Sequence, residues 1–163
     1  MILRRLALAA CGACLLSTPA QAQQAEAAGG PLRLAGITDN YLSFVAGKGP
    51  AVRPTRPVEV WEWTFFKNDH TVGSLTFDTA AFRVRIDCQA VTRQIIASEA
   101  FNDGELLLSV AEANPVVTIE PGTAHFMTVR AACEPGYQVS GVATPSSHRV
   151  ARVLVDRYFA ANP

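Results

Sequence analysis

Apolar and polar positions alternate most regularly between Leu75 and Cys88. Phe82, Val84, Ile86 and Cys88 fall on one side of an extended chain, and Arg83, Arg85 and Asp87 on the other. The same two-residue period runs through 58–67, with Trp61, Trp63 and Phe65 on one face and Val60, Glu62 and Thr64 on the other. Residues 41–45, 92–101 and 106–110 read as further strands, being short and rich in β-branched, aromatic or leucine side chains. Asn102-Asp103-Gly104 is a strong hairpin signal, and Asn68-Asp69-His70 predicts another turn. Pro50, Pro54 and Pro57 keep the stretch after Gly47-Lys48-Gly49 out of any sheet interior. Connections this short imply an antiparallel meander.

The period then changes. Phe126, Val129 and Cys133 recur at helical spacing, Thr123 stands where an N-cap is needed, and Pro135-Gly136 ends the run. These signals predict a helix over 124–133. A second helix is predicted over 147–160, capped by Ser146, with an apolar stripe of Val150, Val153, Leu154 and Tyr158 and an Arg152–Asp156 pair four residues apart. The expected fold is α+β: an antiparallel meander, a helix tethered to one face, and an extra C-terminal helix. One domain covers residues 32–163, and 23–31 (QAEAAGG between Gln23 and Pro31) reads as a flexible leader.

Residues 1–22 belong to a different logic. Arg4 and Arg5 precede an apolar run from Leu6 to Leu16, and Ala20-Gln21-Ala22 supplies the small residues that signal peptidase requires. Eleven residues make a helix of about 16 Å, short of the ~30 Å hydrocarbon core of a bilayer, so the run reads as an export signal cleaved after Ala22. A lipoprotein cut before Cys11 is the alternative, and it would shorten the apolar run below the usual length. Cys11-Gly12-Ala13-Cys14 has redox spacing but lies inside the signal. Export to the periplasm or cell surface then leaves Cys88 and Cys133, an even pair in an oxidising compartment, which reads as a disulfide. The mature chain has no transmembrane segment.

The Asp87-Cys88 strand end, the Ile119-Glu120-Pro121-Gly122-Thr123 helix start and the helix ending in Cys133 resemble the surface-adhesin protein E-like domain of bacteria. The resemblance spans roughly Tyr41 to Cys133. It implies an antiparallel sheet with a helix tied to it by a disulfide, and exported proteins whose best-studied members bind extracellular-matrix proteins. Val116 stands where that family often has tryptophan.

Fourteen basic and fourteen acidic residues give a balanced chain, which argues against a nucleic-acid partner. No metalloprotease, P-loop, EF-hand or nucleophile-elbow motif occurs, and no cofactor is expected. His70, His125 and His148 lack the spacing of metal ligands. Asp69, His70 and Ser74 make a weak catalytic set without geometry to support it, and Glu59 and Glu62 point to opposite strand faces. An enzyme is therefore not expected.

Binding is the remaining role. Trp61 and Trp63 with Arg83 and Arg85 form the candidate binding face, while the aromatic row alternatively fills the core under the Cys88–Cys133 helix. His148, Arg149, Arg152 and Arg157 make the last helix mildly basic, as an ordinary solvated face would be. The leading expectation is a non-catalytic interaction module for an extracellular or envelope protein, with an exposed sheet edge leaving room for a homodimer. The alternative is a carrier of a hydrophobic or haem-like ligand, which requires an apolar cavity of about 300 Å³ or more lined by Phe82, Phe126 and Met127.

Overall fold

The computed structural model describes residues 30–137, 139 and 143–163; the export signal, its cleavage point at Ala22 and most of the leader lie outside them. Six strands follow one another across a single antiparallel sheet: β1 Leu32–Ile37, β2 Tyr41–Ala46, β3 Val58–Val72, β4 Leu75–Asp87, β5 Thr92–Asn102 and β6 Glu105–Val110. A two-residue strand, β7 Val117–Thr118, pairs with the Thr92–Arg93 end of β5. Helix α1 (Ala124–Cys133) packs on one face of the sheet and α2 (His148–Ala161) on the other, giving three layers.

Local chemistry accounts for the elements. Asp103 and Gly104 both adopt positive φ (50° and 78°) between paired Asn102 and Glu105, the backbone that a two-residue hairpin demands. The Thr123 side chain accepts a hydrogen bond from the Phe126 amide at 3.2 Å and opens α1. Arg152 and Asp156 form the expected ion pair.

The disulfide joins Cys88 to Cys133 with Cα atoms 5.5 Å apart. Val84, Ile86, Val129 and Ala132 pack around it, so the inward side of the β4 alternation meets α1. On the opposite face Leu34, Phe44, Trp63 and Phe65 pack under Ala151, Val155 and Phe159 of α2.

Several expectations need correction. The aromatic row does fill core, but under α2 rather than under the disulfide-bonded helix, because Trp63 shares parity with Arg83 and not with Cys88. Asn68-Asp69-His70 is not a turn. The strand bulges there, between Phe65 and His70, and the reversal comes at Gly73 and Ser74. Polar side chains mark a bulge as readily as a turn, since both leave backbone exposed. Ser147, not Ser146, caps α2, and the buried stripe is Ala151, Val155 and Phe159. Val150 and Val153 face solvent. The leader also ends in structure, because the Pro31 carbonyl accepts from the Gly47 amide at 2.9 Å.

Candidate functional site

The predicted binding face is divided by the fold. Trp63 is 1% exposed, its ring 5.0 Å from the His148 ring and nearly parallel to it, with Phe101 on another side at 5.4 Å. It belongs to the core. Trp61 sits half-buried at the margin, directly opposite Arg83 in register, and Arg85 lies opposite Glu59. The Arg83 and Arg85 side chains are 45% and 51% exposed, and both bind the Glu59 carboxylate, at 2.7 and 2.8 Å. The hydrogen bond from Arg85, reinforced by both guanidinium charges, holds the Glu59 carboxyl below its usual range. Exposed pairs of this kind add little stability. Both arginines of the outward ladder thus share one carboxylate, which leaves a single net positive charge on that face.

The α1 face holds the more unusual chemistry. Glu62 is 3% exposed; its Oε2 accepts from Arg93 Nη2 at 2.5 Å and its Oε1 from the Thr128 hydroxyl at 2.7 Å. One carboxylate thus links β3, β5 and α1. Burial first, and the Glu62 charge second, push the Tyr41 phenol above its usual value. Sequence reading placed Glu62 on the strand face opposite the aromatic row, which is right for parity and says nothing of its burial. The available signal was the company it keeps: Val60 and Thr64 flank it on that face, opposite Val84 and Ala80.

Two adjoining depressions lie on this face beyond the N-terminus of α1. One, of about 170 Å³, is lined by Tyr41, Ser43, Glu62, Thr64, Ala124 and His125 along with Phe66 and Phe82. The other, of about 330 Å³, is nearly all apolar, with Val72, Leu75, Phe77, Ala80 and Leu108 among its walls, and it shares Phe66 and Phe82 with the first. This corrects the expected cavity. Phe82 does line the groove, but Phe126 packs into the disulfide cluster and Met127 lies against Gly36, so the space between α1 and the sheet is filled.

Comparison with known protein families, with curated proteins and with solved structures finds no match.

The histidines take separate positions. His70 stacks on Phe66 at 4.9 Å, His148 on Trp63, and His125 lines the polar depression. Ser74 sits in the β3–β4 turn and Asp69 in the bulge. Among the described residues no three His, Cys, Asp or Glu side chains gather as a metal site would require, and no helix is long and apolar enough to cross a membrane.

Glu99 provides a pH prediction. It lies in register between Ala81 and Ser109, buried, with Oε2 unpartnered. Loss of hydration raises its carboxyl above 4.5, opposed in part by a hydrogen bond with Ser109. A carboxyl that holds its proton more tightly folded than unfolded withdraws stability as pH rises past the ordinary carboxylate value. Glu99→Gln is therefore expected to melt higher than the parent at neutral pH and to flatten the fall in stability above pH 4.5. Thermal melts across that range check it, and identical pH slopes for parent and variant would contradict it.

Proposed function

We propose that the protein is an exported, non-catalytic interaction module, adhesin-like in the sense of the surface-adhesin protein E resemblance, that takes up an extended segment of an extracellular or envelope protein along β6. The observation that supports this most is the state of that strand. All six residues of Glu105–Val110 are exposed, and Leu106, Leu107 and Leu108 stand 37%, 42% and 46% open. Among the described residues nothing pairs with its outer edge. Edge strands are ordinarily guarded by lysine, proline or an inward charge, and this one has only a bulge at Leu107 and a glutamate at its start. Strand addition supplies affinity through main-chain hydrogen bonds and selectivity through alternate side chains. The leader sequence and the Cys88–Cys133 bond support the exported setting.

The test is a binding screen of the oxidised protein against matrix and envelope proteins, run beside Leu107→Lys and Leu108→Lys. Both positions are exposed, so the variants are expected to fold as the parent does and to bind at least about tenfold more weakly. Val52→Lys, in the β2–β3 loop, serves as the control. A partner held equally by parent and strand variants would remove β6 from the site. The apolar groove supports a second reading, the binding of a small apolar ligand.

A further inference from the structure

We infer that the two depressions on the α1 face form one amphipathic site for a small neutral amphiphile: an apolar, partly aromatic body bearing a single hydroxyl, as in an alkylphenol. The inference rests on the second reading above, that the groove takes a small ligand, and adds the chemistry of its head.

The shared walls make the two spaces continuous. Phe66 and Phe82 line both, so a ligand whose body lies over Ala80 and Phe77 directs its end between those rings toward Ser43 and Thr64. The register supports that path, since Ser43 faces Thr64 and Thr64 faces Ala80 across neighbouring strands. At about 4.8 Å per strand the run from Ser43 to Ala80 is close to 10 Å, the length of a ring with a short alkyl chain.

The polar end is built for a hydroxyl rather than an ion. Ser43 is 2% exposed, yet its Oγ has no hydrogen-bond partner, a deficit that a buried polar group seldom carries without reason. Thr64 and Tyr41 add hydroxyls of their own, and each Glu62 oxygen retains a lone pair beyond the bond it already accepts. The Glu62 charge is balanced by Arg93. A carboxylate head would meet Glu62, and an ammonium head would find no uncompensated charge. A hydroxyl donates one hydrogen bond and accepts another, which suits this set. The other end needs little polar complement, because its lining is mostly phenyl, aliphatic and alanine side chains, joined by His70, Ser98 and Glu99.

The experiment titrates the oxidised protein calorimetrically with 4-hexylphenol and with 4-hexylanisole, its methyl ether, which keeps the shape and loses the donor. The phenol is expected to bind about tenfold tighter, in line with one well-made hydrogen bond to a buried group. Ser43→Ala is expected to weaken the phenol about tenfold more than the anisole and so erase that preference. Val72→Asp, at an exposed wall of the groove, is expected to weaken both ligands. If neither compound binds, the groove reading fails and takes this inference with it. If both bind equally, the groove reading stands and the hydroxyl head is overturned; a preference that survives Ser43→Ala likewise overturns the head site proposed here.

Discussion

Reduction of the Cys88–Cys133 bond is expected to lower the unfolding free energy by about 4 kcal/mol, the chain-entropy value for a closed loop of 45 residues. Domains of this size commonly hold only about 5–15 kcal/mol in total, so the loss is a large fraction of the whole. The crosslink acts on the unfolded chain, where it restricts the segment that carries β5, β6, β7 and α1. In the folded state the cysteines lie among Val84, Ile86 and Val129, so the serine pair (Cys88→Ser with Cys133→Ser) adds the burial of two hydroxyls. The alanine pair isolates the crosslink better. Urea titrations of the oxidised parent and the alanine pair measure the difference, and coincident midpoints would show that the bond contributes nothing.

Glu62→Leu is expected to cost about 3–5 kcal/mol, because it strands the Arg93 guanidinium in an apolar setting. The Glu62→Leu, Arg93→Leu double variant is expected to recover most of that loss. Both side chains are almost fully enclosed, so neither charge regains water when its partner is removed. Thr128 loses its acceptor in either case, a smaller penalty common to both variants. The comparison of single with double is the informative quantity: an additive pair of losses would mean that the two charges do not interact.

How much of this was legible depended on whether one face of an element meets water. β4 was clear because Val84 and Ile86 go under α1 while Arg83 and Arg85 stay outside. β2 is different: Leu42 and Phe44 pack toward α2, and Ser43 and Val45 toward α1, so burial is continuous and alternation carries no information. β1 escaped notice for a related reason, since Leu32, Leu34 and Ala35 are all buried around a bulge that breaks the period. The phase of α2 was misread because Val150 and Val153 are apolar but outward, whereas small Ala151 is the side chain that faces Trp63 and its neighbours. Of the four residues proposed for a binding face, Trp63 is core and the two arginines are engaged by Glu59. The groove was invisible, because its walls come from β3, β4, β5 and β6 and no linear spacing unites them.

Strand order that repeats chain order has a bearing on how the molecule is assembled. Each main strand after β1 can join its predecessor as a hairpin, with little loop to close except across residues 47–57 between β2 and β3. The first strand is the exception in what covers it. The Ala35 carbonyl accepts from the Tyr137 hydroxyl at 2.8 Å and the Leu32 amide donates to the Pro145 carbonyl at 2.8 Å, both partners lying more than a hundred positions downstream. A chain emerging N-terminus first can therefore build its sheet by successive additions, but the opening hairpin stays uncovered until the last quarter arrives. The cover of the opening hairpin is thus supplied by residues far from it in chain order.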